Sequence, residues 1–177
     1  MNYKWRAAAQ LVDANIRPRV WFGPNDVANI HAGLDSAAGQ RLWRDFSRRA
    51  QFHAKFALDL EDPVVALAEY NINWHQPGTK IVRSLPDIAA YAYLTDDASA
   101  IEACCRILSS CAAAEEYAAK ERSGKRFGYG AARHLVTAYD FVAPFMGAVE
   151  RKAFCVWAVE SVIAQTLKLL TPKFYFS

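Results

Sequence analysis

The sequence predicts an all-α protein built from antiparallel helical hairpins, and three observations carry that expectation. Gly and Pro are scarce, at 8 and 7 of 177 residues, below the roughly 12% of average usage. That scarcity argues against a fold that must turn every ten residues. Apolar residues recur at helical spacing along most of the chain. Brief polar breaks carrying capping residues separate those stretches. The apolar share is 53%, above the roughly 45–50% usual for globular chains. A chain of this length makes one domain, 1–177, with a real core.

Arg17 to Phe22 reads as extended. Gly23-Pro24-Asn25-Asp26 then opens a short helix, with Pro at its first position and an acid in its first turn. Val27, Ile30 and Leu34 form its inner stripe. A longer helix begins near Ser36, with Leu42, Trp43, Phe46, Ala50 and Phe56 on one side. Arg41, Arg44, Arg48 and Arg49 line the other side, as a solvated face does. Val64 to Tyr70 reads as a short helix, and Asn71 to Lys80, holding Pro77 and Gly78, as loop.

Ser84-Leu85-Pro86-Asp87 has the form of a helix start, with Ser84 as cap and Asp87 near the exposed amides. That helix carries Ile88, Ala89, Ala92 and Leu94 and stops at Thr95-Asp96-Asp97. Asp97 caps the next helix, whose stripe is Ile101, Cys104, Cys105, Leu108 and Ala112. Lys120 to Gly130 is a basic, glycine-containing loop. Helices from about Ala131 to Val142 and from about Gly147 to Leu170 follow, with Pro144 between them. The connections 95–97 and 143–147 are short, so 85–94/98–116 and 131–142/148–170 are expected to be antiparallel neighbours. No repeat of consensus solenoid type is visible; a bundle and a toroid both fit at this level.

Net charge is 21 − 18 = +3, without the basic stripe of a nucleic-acid surface. The most apolar helix, Ala148 to Leu170, carries Glu150, Arg151, Lys152, Glu160 and Lys168, whereas a membrane span needs roughly 20 predominantly apolar residues. Met1 to Asn15 lacks the apolar stretch of a signal peptide. The expected location is therefore the cytoplasm for the sequence as written, and the periplasm or exterior if a leader has been removed. No Cys-x-x-Cys pair or zinc-spaced His accompanies the four cysteines. Cys104 and Cys111 share a face with Ile101 and Leu108 and read as buried small hydrophobes. Neither a metal nor a cofactor is expected.

Three segments, in order, carry a resemblance. The first is Arg17-Pro18-Arg19-Val20-Trp21-Phe22-Gly23-Pro24-Asn25-Asp26-Val27. The second is Ala89-Ala90-Tyr91-Ala92-Tyr93-Leu94-Thr95-Asp96-Asp97, which resembles an "Ala-Tyr-x-x-Thr-Gly-Asp" helix end. The third is Ala138-Tyr139-Asp140-Phe141, which resembles an "Ala-Tyr-Asp-Trp" helix. Together they resemble the amino-terminal helical region of the heparinase II/III-like polysaccharide lyases, which include alginate-lyase relatives, over about residues 17–170. Asp96 stands where the pattern has Gly, and Phe141 where it has Trp.

The resemblance implies an (α/α) toroid around a cleft that holds an acidic, uronate-containing polysaccharide, with chain cleavage by β-elimination. It also implies that the Asn/His/Tyr catalytic cluster lies mostly beyond this chain, followed by a β-sandwich. The chain thus looks like the amino-terminal toroid portion of such a lyase, inactive alone and with no catalytic residue assigned. A partial toroid would expose an apolar flank and self-associate through it. A non-catalytic carbohydrate-binding or protein-interaction module is the alternative.

Elimination on a uronate needs a cation or amide to neutralise the carboxylate. It needs a base for the α-proton and an acid for the leaving oxygen. Asn73, Trp74 and His75, in the loop 71–76, supply an amide, a ring for stacking on a sugar face, and an imidazole. The plainer reading of the same residues is a turn. Arg126, Tyr129, Arg133 and His134, with Lys125, offer positive charge and an aromatic face; as a helix start they also fit a solvated turn. These seven residues are the candidate substrate contacts. Tyr139 and Asp140 are expected to make a structural contact, and His31 and His53 to sit at the surface or in the core.

Overall fold

The computed structural model describes residues 21–70, 75–121 and 128–163, and among them there is helix but no strand. A 3-10 turn, Pro24–Asp26, leads into α1, Val27–Leu34. Asp26 folds back to accept from the Gly23 amide at 2.8 Å, closing the turn that precedes the helix. The Ser36 hydroxyl accepts from Gly39 N–H at 3.0 Å and starts α2, Ala37–Leu58. Asp62 accepts from the Val64 and Val65 amides at 2.8 and 3.2 Å, opening α3, Pro63–Ala68. In both caps a side-chain oxygen satisfies amides that the first turn leaves without partners.

Helix α4, Pro77–Thr95, is the centre of the molecule. Its Ile81, Val82, Leu85, Ile88, Ala89 and Ala92 are wholly shielded. It packs against α2, against α5 (Ala98–Ser109) and most extensively against α7 (Gly128–Val142). Small residues accompany that packing: Ala50, Ala54 and Ala57 of α2, Ala100 and Ala103 of α5, and Ala131 and Ala138 of α7 are all buried in the same core. Helix α6, Cys111–Glu121, lies on α3. Helix α8, Ala148–Trp157, follows a 3-10 turn at Ala143–Phe145 and runs on as a π turn, Ala158–Ile163. It packs on α5 and α6, while the π turn lies along α7.

Arg106 of α5 ties the end of α2 in place. It donates to the carbonyls of Ala57, Leu58 and Leu60 at 3.1, 2.6 and 2.6 Å. The last carbonyls of a helix have no partner within it, and here a single guanidinium supplies three donors.

Several local expectations are corrected. The helix expected to start at Ser84 is already two turns old there, so 77–80 is helix rather than loop. Pro77 stands at the first helical position, where its missing N–H costs nothing. Gly78 lies so close to the Ala66 carbonyl that no side chain would fit. Ser84 caps nothing; its hydroxyl donates back to the carbonyls of Lys80 and Ile81 at 2.8 and 3.1 Å. Pro86 sits inside the helix and offers no N–H to the turn before it.

Leu42 faces outward at 73% exposure, because the buried stripe of α2 is Trp43, Phe46, Ala50, Ala54 and Ala57 and Leu42 lies one step off it. The helix expected over 98–116 breaks at Ser110, whose hydroxyl donates to the Arg106 carbonyl at 2.8 Å. The Lys120–Gly130 loop is shorter at both ends, since α6 reaches Glu121 and α7 begins at Gly128.

Candidate functional site

The three segments that carry the resemblance meet in space. Phe141 of α7 is fully buried. The rings of Trp21, Phe22 and Tyr93 close on it at centroid distances of 5.5, 5.1 and 6.1 Å. Phe22 and Tyr93 also approach one another, at 6.2 Å. The chain at 21–22 is therefore fixed against the last turns of both α4 and α7. Next to this cluster Tyr139 stacks on Phe154 at 4.6 Å, and its hydroxyl lies 3.2 Å from Cys155 Sγ. Tyr139 and Asp140 are both buried, which places them in the packed interior.

Asp96, just after α4, has φ +53° and is the single non-glycine residue with positive φ among those described. A left-handed residue after a helix is the position that favours glycine. Asp97 then caps α5 through Ala100 N–H at 2.9 Å, so α4 and α5 are joined by two residues.

A second gathering of residues is polar. Lys80, Arg83 and Asp87 recur at helical spacing along one side of α4, and α2 and α7 flank that helix. From α2 come Arg49 and His53. Burial lowers the His53 pKa; Asp87 opposes that, and Arg49 and Lys80 add to it. His53 Nδ1 is shielded from solvent and makes no hydrogen bond. Burial raises the Asp87 pKa, against the pull of Arg49 and His53.

From α7 come Arg133 and His134. Arg133 Nε donates to His134 Nε2 at 3.2 Å, which assigns the imidazole as neutral with its proton on Nδ1. Burial lowers the His134 pKa, and Arg133 and Arg83 lower it further. Guanidinium groups present fixed forks that match carboxylates. A neutral imidazole is a proton acceptor in general, and here burial and the two guanidinium groups disfavour its charged form.

His75 is exposed in the turn before α4, and Arg133 and His134 form the pair just described. Tyr129 lies on the first turn of α7, with its side chain outside the described ones; Asn73, Trp74 and Arg126 lie outside the described residues altogether. Arg83 was missed in the sequence, and its signal was present. With Pro77 read as the first helical residue, Lys80, Arg83 and Asp87 fall on one face.

Cys104 and Cys111 are buried, their thiols pushed up by burial. Cys105 is half-buried and Cys155 exposed. Among the described residues no group of His, Cys, Asp or Glu is placed to hold a metal, and no helix is long and apolar enough to cross a membrane. A groove of about 630 Å³ separates α6 from α8; Ala112, Val149, Ala153, Val156 and Trp157 form its apolar part. Scans of family models, curated proteins and solved structures found no match to this chain.

Proposed function

We propose that this chain is the amino-terminal toroid portion of a polysaccharide lyase that acts by β-elimination on an acidic, uronate-containing polysaccharide. The observation that carries the reading is the meeting of the three resembling segments at Phe141. Segments far apart in sequence share a pattern with one family, and their aromatic residues form a single cluster. Asp96 adds to it: the residue standing where the pattern has Gly is in the left-handed conformation that Gly adopts most readily. Trp43 and Gln51 both reach Tyr91, so α2 packs directly on α4, which supports a reading of packed neighbouring helices.

In this reading the cationic face of α4 and α7 receives the acid groups of the sugar chain. The loop 71–76 supplies Asn73, Trp74 and His75 as further contacts. The exposed Val149, Val156 and Val159, along α8 and its π turn, form the apolar flank that further helices, or a second copy of the chain, would cover. A glycan array of acidic and neutral oligosaccharides tests the reading, alongside ultraviolet absorbance of unsaturated product from alginate and heparan sulfate. Binding confined to acidic glycans, with no product, is expected. Binding of neutral glycans alone would overturn the reading.

A further inference from the structure

We propose that a second copy of this chain docks the outer stripe of its α2 into the groove between α6 and α8. The contact is independent of any sugar the chain binds. Both halves of it lie on this one chain, and they match in apolar character, length and charge.

The inserting half is a helical row. Arg41, Arg44, Arg48, Phe52 and Lys55 follow one another at intervals of three or four residues, so they line one face of α2. All five are exposed. Phe52 is 67% exposed, and Leu42, one step from the row, is 73% exposed. Two large apolar side chains among cations make this face a basic amphipathic one, the kind that lies in an apolar groove. Arg48 meets Asp45 at 3.4 Å, an exposed contact weak enough to yield to a partner.

The receiving half is the groove of about 630 Å³. Val149, Ala153, Val156 and Trp157 give it an apolar floor, and Glu116 and Glu160 give it an acidic, exposed rim. Lys152 is the one cation among its described lining residues. Such a groove takes a row of side chains rather than a whole helix, which is about 10–12 Å across. Helix α2 brings such a row, because Ala50, Ala54 and Ala57 hold its other face in the core. Leu42 and Phe52 lie about 15 Å apart along α2, and Val149 and Val156 about 10 Å apart along α8.

In the contact Arg44 and Arg48 face Glu116 and Glu160, and Asp45 faces Lys152. Opposite charges at the rim set the register, while apolar side chains at the centre supply the affinity. Two grooves placed together would set acid against acid, so charge disfavours that pairing. Helices α2, α6 and α8 all pack on α5, so a chain cannot fill its own groove. Each contact leaves one stripe and one groove open, and copies join head to tail into rings or chains.

The test is sedimentation velocity of the 177-residue chain and of two charge-reversed variants, Arg44→Glu/Arg48→Glu and Glu116→Arg/Glu160→Arg. These positions are exposed, and far-ultraviolet circular dichroism checks that both variants keep their helix. The wild-type mass should rise with concentration. Each variant alone should sediment as a monomer, because its own stripe and groove carry the same sign. An equal mixture should associate again, since each stripe then meets a groove of opposite sign. Phe52→Ser, a single exposed change, should weaken wild-type association about tenfold. Association of Arg44→Glu/Arg48→Glu at wild-type strength overturns the proposal, as does a folded mixture that stays monomeric. A wild type that stays monomeric at every concentration overturns it too, and its binding to anionic lipid vesicles would assign the stripe to a membrane surface instead. The glycan array reads sugar binding separately, so failure here leaves the acidic-glycan reading standing.

Discussion

Replacing Asp96 tests the link between the α4–α5 junction and the family pattern. Asp96 has φ +53°, a conformation that costs an ordinary L-residue roughly 1–2 kcal/mol. Asp lies at the low end of that cost, because its short polar side chain bonds locally. Glycine removes the penalty but loses roughly 0.5–1 kcal/mol through its freer unfolded chain. Asp96→Gly should therefore raise stability by about 0.5 kcal/mol, or about 1–2 °C in Tm for a domain of this size. Asp96→Ala keeps the steric penalty and loses the polar group, so it should fall below wild type by about 1 kcal/mol.

The order of the two variants is the decisive quantity, because in an ordinary helical position Ala is better than Gly by roughly 1 kcal/mol. Paired thermal melts followed by circular dichroism at 222 nm, the usual wavelength for helix, give that order. An alanine variant as stable as the glycine variant would refute the left-handed assignment. Tyr93 supplies a second readout. Its hydroxyl is pushed up first by burial and then by Asp96, so both variants should lower its ultraviolet titration.

Phe141→Ala, at a wholly buried ring touched by Trp21, Phe22 and Tyr93, should cost about 3–5 kcal/mol in urea unfolding; a loss under 1 kcal/mol would dissolve the aromatic junction. Trp74→Ala should weaken binding of uronate oligosaccharides by about 1–2 kcal/mol, the scale of one lost aromatic contact, and calorimetry that finds no change would move the cleft elsewhere. Burial keeps His53 and His134 below their ordinary value of 6.5, so the unfolded chain binds more protons in that range. Stability present above about pH 6.5 should fall as pH drops through the folded values, and a flat urea midpoint over that window would contradict it. Val149, Val156 and Val159 are 81, 46 and 52% exposed, so the chain should self-associate in sedimentation and Val149→Lys should reduce it; a clean monomer at high concentration would count against an apolar flank awaiting cover.

The helix caps were legible because they are local. Ser36, Asp62 and Asp97 each stand just ahead of an apolar-periodic run, and two of the three were read as helix starts from their own neighbourhoods. The start of α4 was not legible in the same way. Pro77-Gly78 has the composition of a loop, and only the packing of Gly78 on the Ala66 carbonyl shows why glycine sits inside a helix. A loop reading of that stretch hides the polar face, because it leaves Lys80 and Arg83 outside the helix that aligns them with Asp87. The break at Ser110 was hidden too, since a stripe of Ile101, Cys104, Leu108 and Ala112 continues smoothly across it. Arg133 and His134 stand out in the sequence because a basic loop runs into a helix there. Arg83 comes from a different helix, and only tertiary packing brings it to them.

The central claim is that this chain offers a surface for the acid groups of a uronate polysaccharide. Calorimetric titration of a uronate tetrasaccharide against its methyl ester, at low and at high salt, tests it most directly. The account predicts that the acid form binds, that salt weakens it, and that the ester binds far less. Equal binding of acid and ester, or no binding of either at low salt, would contradict it.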